Sequence, residues 1–168
     1  MIDVIKEGIR KKIETLNSIL ENVNIKKIES FVIDPLKEEK LNLNLPKGKS
    51  FIYIIKSIKA IEQQTISKGI EEGKKQNFAM CRINDNFEVN SENCLYVGSS
   101  HSIVKRISEH LGIGGSSKTY AMHLKYWWTN GPIIVEIYEV NNFDKCLQLY
   151  EDILWDYYKP ILGRQGKK

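Results

Sequence analysis

The chain has 168 residues, 42% hydrophobic and 27% charged, enough for one compact domain and too apolar for a disordered one. No run approaches the roughly 18 apolar residues of a membrane span. The N-terminal MIDVIKEGIRKKIETL carries charges among its apolar positions, unlike a signal peptide, so a cytoplasmic protein away from membranes is expected. Cys81, Cys94 and Cys146 are odd in number and not closely paired, which argues for buried or free thiols against a disulfide framework or zinc site.

Along the chain, Ile2, Ile5, Ile9, Ile13, Leu16, Leu20 and Val23 fall at steps of three and four, the stripe of an amphipathic helix. A short apolar run from Ile28 to Ile33 stops at Asp34-Pro35, and LNLNLPKGKS reads as a connection, so residues 1–46 form an N-terminal helical extension. Phe51 to Ile55 (FIYII) is β-branched and aromatic and predicts a buried strand. Residues 56 to 77 read as a helix with Ile58, Ile61, Ile66 and Ile70 on one face, and residues 84 to 93 are polar and turn-like.

Cys94 to Val97 predicts a second strand, ended by Gly98-Ser99-Ser100. Ser102 is placed to cap a helix bearing Ile103, Ile107 and Leu111, which stops at Gly112. Gly114 to Ser117 is a loop, and it lacks the lysine-threonine ending of a phosphate-binding loop. Thr119 to Trp128 reads as a helix halted by Asn130-Gly131-Pro132. Ile133 to Val140 is the clearest strand, and a last helix, LQLYEDILWDYY, starts from Asn142 or Asp144 and closes at Lys159-Pro160. The order of elements predicts an α+β domain.

With the core residues set aside, a chemically coherent group remains. Tyr53 and Tyr96 lie mid-strand in two runs expected to pair; Arg106 and His110, four apart, share one helix face; Glu151 sits in the last helix. Such a set suits phosphodiester hydrolysis. A carboxylate holds a hard divalent cation, an arginine neutralises phosphate charge, and a phenol or imidazole handles the proton of water.

These residues resemble the GIY-YIG nuclease family. FIY at 51–53 is similar to its first signature and YVG at 96–98 to its second. Arg106 and His110 follow Tyr96 by ten and fourteen residues, and Glu151 precedes Pro160 by nine, in the family's order. The resemblance spans about residues 51 to 163 and implies a small central three-stranded antiparallel sheet flanked by helices, within a catalytic domain at 47–168. It implies one divalent metal, Mg²⁺ or Mn²⁺, bound mainly by Glu151, with Arg106 on the scissile phosphate and His110 assisting. Tyr96 or Tyr53 is the implied general base, and sequence does not choose between them. A phenol, with an ordinary pKa of about 10, needs a nearby cation to serve so.

The chain also departs from the pattern. Phe51 replaces a glycine, and 42 residues separate the two tyrosines, so a helical insertion is expected at about 56–93. Gly163 stands where the family has asparagine, with Gln165 as a possible substitute donor.

The net charge of +4 is only mildly basic, but Lys105, Lys118 and Lys125 in the C-terminal half, and Lys159, Arg164, Lys167 and Lys168 in the tail, are candidate phosphate contacts. On charge alone a solvated face is the better reading. Tyr120, His123, Trp127 and Trp128 interleave aromatics with these bases; a stacking surface competes with core packing, which is favoured for the tryptophans. The expected function is a DNA endonuclease of restriction or defence type, with RNA not excluded and a homodimer suggested by double-strand cutting. The competing expectation is a nucleic-acid or partner-binding module that kept the fold and lost strong catalysis.

Overall fold

The segment SFIYIIKS has apolar residues on both sides of its pleat, and this is why it becomes a strand buried on both faces instead of an alternating one. In the computed structural model it is β2 (Ser50–Ser57), flanked in a four-stranded antiparallel sheet by β3 (Cys94–Ser100) and β4 (Ile133–Asn141). The structure describes residues 2–22, 24–84, 93–114, 116–141 and 147–165, without the side chains of residues 16, 19, 20 and 22. The polar stretch at 85–92, Gly115, Asn142, Asp144, Cys146, Lys167, Lys168, Val23 and the side chains of Leu16 and Leu20 lie outside the described residues.

The fourth strand corrects the expected three-stranded sheet. After α1 (Ile2–Asn22), residues Asn24–Ile33 form β1, an edge strand paired with β4 from Asn24↔Asn141 to Ile33↔Ile133. The helical description of residues 1–46 therefore holds for α1 alone. Lysines 26 and 27 obscure the strand in the sequence, and charge on an edge strand is a known guard against further pairing. Lys27 binds Glu136 across to β4. The stripe on α1 is solvent-facing where it is described, with Ile2, Ile5, Ile9 and Ile13 all more than half exposed.

The sheet order is β1-β4-β2-β3. One face carries Ile52, Ile54, Cys94, Val97 and Val140 and is covered by Leu147, Tyr150, Leu154 and Tyr158 of α4 (Leu147–Tyr158). The other carries Phe51, Tyr53, Ile55, Val135 and Ile137. It is covered by α2 (Gln63–Lys75) and α3 (Ile103–Leu111), together with Met122, Leu124 and Trp128. Burying some twenty large apolar side chains, each contributing about 1.5–3 kcal/mol, offsets the entropy of ordering these layers.

The expected helix at Thr119–Trp128 is absent; among the described residues only a 3₁₀ turn, Leu124–Tyr126, forms there. His123 takes a left-handed conformation at φ 50°, and Ala121 instead exchanges backbone hydrogen bonds with Ala79 and Cys81. Ala121, Met122, His123, Leu124, Trp127 and Trp128 are all buried, so the apolar density that suggests a helix reflects an enclosed irregular segment. The tryptophans are core, as favoured: their indole N–H groups donate to Met122 and Gly131 carbonyls at 2.6 and 2.7 Å.

The stretch expected as an insertion is woven into the domain. Strand β2 runs on to Ser57, and α2 is shorter than predicted, with Ile61, Ile66 and Ile70 buried and Ile58 exposed. A β-carbon at Gly69 would lie 1.9 Å from the Trp127 ring, so this glycine lets α2 seat directly on the indole. Beyond α2, Asn84 N–H donates to Ile161 O at 2.8 Å and Gly163 N–H to Arg82 O at 2.8 Å, tying insertion and tail together. Among the described residues no helix is long and apolar enough to cross a membrane.

Candidate active site

Strand register brings the two tyrosines together. Tyr53 is the Cα partner of Gly98, and Ile55 of Tyr96, while Lys56 already pairs with Cys94. Leu95 is thus the extra residue of a β-bulge, and both Leu95 and Tyr96 join the core on the α3 side. Bulges re-aim side chains in this way. Here the bulge turns Tyr96 over Tyr53, with rings stacked at 5.9 Å and 14° between planes. Gly98 makes room for them: a β-carbon there would lie 2.6 Å from the Tyr53 hydroxyl and 2.7 Å from the Tyr96 ring.

His110 completes the cluster from α3, its ring 4.2 Å from that of Tyr96. The Met122 N–H donates to His110 Nδ1 at 3.3 Å, so the neutral ring carries its proton on Nε2 and donates it to the Tyr53 hydroxyl at 2.9 Å. Burial, then the charge of Arg106, holds the His110 pKa well below its ordinary value. Burial also pushes the Tyr53 phenol well above its usual range, with Tyr96 adding to the rise.

Arg106, one turn before His110, donates to the Tyr96 hydroxyl at 3.4 Å, to the Tyr120 carbonyl at 2.9 Å and to the Glu109 carboxylate at 3.2 Å. Burial opposes its charge, but the phenols and Glu109 more than offset this and raise its pKa. Three of five N–H donors are used in these contacts. Tyr96 is less enclosed than Tyr53; burial raises its pKa, and Arg106 works against the rise. Tyr96 and Arg106 open on a cavity of about 790 Å³.

Glu151 stands on the other side of the edge strand β3. Its carboxylate accepts the Ser99 hydroxyl at 2.5 Å and also the Ser99 backbone N–H. Ser99 pairs with Ile52 and so shares the α4 face, which explains how a helix on that face delivers the carboxylate. Burial raises the Glu151 pKa, against the Ser99 hydrogen bonds. Its charge raises both phenols, and Arg106 in turn favours the Glu151 carboxylate, so the two faces are electrostatically linked.

Among the candidate residues, Glu151 supplies the carboxylate that could hold a single Mg²⁺ or Mn²⁺. Among the described residues no three His, Cys, Asp or Glu side chains gather as a metal cage. Mg²⁺ commonly takes one or two carboxylates and keeps waters and substrate phosphates as its other ligands, which Glu151 alone allows.

The remaining candidates divide. Lys105, Lys118 and Lys159 are exposed, and Arg164 is exposed at the cavity rim. Lys125 is engaged elsewhere, donating to the Glu38 carbonyl at 3.2 Å and fastening the N-terminal connection. His123 is buried, stacked on Phe78 at 4.6 Å and bonded to the Thr119 carbonyl, so it serves packing. The Gln165 amide donates to Asp156 at 2.9 Å. At Gly163 the backbone has φ +106°, and a β-carbon would come 3.0 Å from the Tyr96 ring, so this backbone favours glycine over any side chain.

Sequence reasoning missed Ser99, Glu109 and the Met122 N–H, which orient Glu151, Arg106 and His110. Of these, only Glu109 carried a local signal, three residues after Arg106 on the same helix. Cys81 and Cys94 are buried, and burial pushes Cys81 up to about 12. Compared with family models, curated proteins and solved structures, the chain matches none.

Proposed function

We propose that the chain is a metal-dependent endonuclease of GIY-YIG type that hydrolyses phosphodiester bonds in DNA, as in a restriction or defence nuclease. One observation carries the reading. Tyr53, Tyr96, Arg106 and His110 converge from β2, β3 and α3 into one contact cluster, with Glu151 in electrostatic range across β3.

Geometry favours different roles for the two tyrosines. Tyr53 is 1% exposed and bonded to His110, which suits a positioning residue. Tyr96 borders the cavity beside Arg106, which suits the group that takes the proton of water. As water oxygen bonds to phosphorus and the bond to the leaving sugar oxygen breaks, the water proton passes to the Tyr96 phenolate and the leaving oxygen takes a proton from solvent. Arg106 neutralises the charge that builds on the phosphoryl oxygens. Glu151 would hold the cation, which when bound supplies further charge neutralisation at the phosphate. Burial keeps Tyr96 mostly protonated near neutrality, so the rate is expected to rise with alkaline pH.

The test is digestion of supercoiled plasmid, phage DNA and RNA with and without Mg²⁺ or Mn²⁺, beside Glu151→Ala protein. Metal-dependent cutting lost in the variant supports the reading. A second reading, a nucleic-acid-binding module without strong catalysis, draws on Gly163, whose backbone disfavours the asparagine of the family pattern. It predicts binding without cutting and no dependence on Glu151.

A further inference from the structure

The cavity beside Tyr96 and Arg106 is walled by segments that take no part in the phenol–imidazole cluster. Lys74 comes from α2, Arg82 from the insertion, Tyr120 from the irregular segment and Arg164 from the tail. With Arg106 this makes four cations, and no carboxylate is among the described residues that line it. Met80 and Ile83 give it an apolar wall, and Tyr120 is 72% exposed.

The walls are fixed to one another by backbone hydrogen bonds. Ala79 N–H donates to Ser117 O at 2.8 Å, Cys81 N–H to Ala121 O at 3.0 Å, and Gly163 N–H to Arg82 O at 2.8 Å. The cavity is therefore preformed. Its volume, about 790 Å³, is on the scale of a small-molecule site, room for one or two nucleotides and too little for a duplex. Cations around an apolar wall, with an exposed aromatic ring, are the features that hold unpaired strands: charge for phosphates and a ring for bases.

We propose that this cavity takes unpaired nucleotides of the substrate strand adjoining the phosphate at Arg106, with Arg82 and Arg164 on flanking phosphates and Tyr120 stacked on a base. The inference rests on the nuclease reading and sharpens its substrate to strands with an unpaired segment, such as overhangs or flaps.

The test uses the full chain carrying Glu151→Gln, without metal, and fluorescence anisotropy with a 12-nucleotide single strand, a blunt duplex and an overhanging duplex of the same length. Single-stranded and overhanging DNA should bind at least about tenfold tighter than blunt duplex, the weight of one stacked base. Adding Arg82→Ala and Arg164→Ala should flatten the log–log salt slope by about 1.4, roughly 0.7 for each lost phosphate contact. Tyr120→Ala should weaken binding about tenfold and leave that slope unchanged. All three side chains are exposed, and thermal melting checks that the fold is kept. Equal or tighter binding of blunt duplex, or variants that bind like the parent, would overturn the proposal. Digestion of the same overhanging duplex by the wild-type chain in Mg²⁺ separates the two claims. Cutting with variant-insensitive binding overturns the groove alone; variant-sensitive binding without cutting supports the groove and overturns the nuclease reading.

Discussion

The two sides of the edge strand β3 are built on opposite principles. On the α3 side, Tyr53, Tyr96 and His110 are locked by stacking, by the Met122 N–H and by a glycine that leaves no spare volume. On the α4 side, Glu151 is only partly buried, bonded to Ser99 and held in a place that disfavours its charge. The first side is settled by packing. The second keeps a carboxylate whose charge burial disfavours, and perturbed groups of this kind concentrate at functional sites. On the proposed reading, a bound cation would relieve it.

The sharpest way to break the comparison is to remove one hydroxyl from each layer of the packed side. Tyr96→Phe is expected to lower the cleavage rate by about 10²–10⁴-fold, the usual worth of a positioned general base, and to flatten the alkaline rise of the pH–rate profile. Tyr53→Phe should leave that rise in place while lowering the rate less. If the profile follows Tyr53 and ignores Tyr96, the roles are reversed.

A smaller effect should follow from filling the packed side. Gly98→Ala places a β-carbon 2.6 Å from the Tyr53 hydroxyl and 2.7 Å from Tyr96. Overpacking of this kind costs about 1–3 kcal/mol, read by denaturant midpoint. Because the displaced ring is bonded to His110, cleavage should fall with stability. A variant as stable and active as the parent would show that the cluster is looser than its distances imply.

Acid offers a gentler probe of the same side. His110 is neutral in the fold, its pKa held well below 6.5 chiefly by burial. The unfolded chain then binds the extra proton first, so stability falls as pH drops below about 6.5. The loss continues down to the depressed folded pKa. His110→Gln should remove that part of the acid sensitivity, measured as the melting temperature against pH; an unchanged slope would place the sensitivity elsewhere, His123 being the other buried imidazole.

The unequal legibility of the two sides follows from the range of the contacts. Tyr96, Arg106 and His110 are fixed within fifteen residues, by one strand and the helix after it, so their spacing alone predicts that they meet. The bond from Ser99 to Glu151 spans 52 residues, and that from Met122 to His110 depends on an irregular segment. Periodicity carries no information about either. The same limit explains β1, whose pairing partner β4 lies more than a hundred residues away and whose exposed lysines hide its alternation. It also explains Thr119–Trp128, where a run of buried residues from Ala121 to Leu124, with Trp127 and Trp128, reads alike for a helix and an enclosed loop.

The smallest expected effect tests the α4 side most directly. Burial raises the Glu151 pKa in the fold, so the folded state holds its proton more tightly than the unfolded chain does. Stability is therefore lost as pH rises from the ordinary carboxylate value through the raised one, and the penalty remains in full at neutral pH. Glu151→Gln removes the charge, keeps an acceptor for the Ser99 hydroxyl, and should melt at a slightly higher temperature than the parent at pH 7. Near pH 4 the two proteins should melt alike. Mg²⁺ or Mn²⁺ should then raise the melting temperature of the parent and not of the variant, because a ligand stabilises only the state that binds it. A gain in stability with loss of cleavage would mark Glu151 as a residue kept for binding a cation. A variant that melts lower than the parent at pH 7 would instead make the Ser99 pair a structural bond, and the metal would have to be held elsewhere.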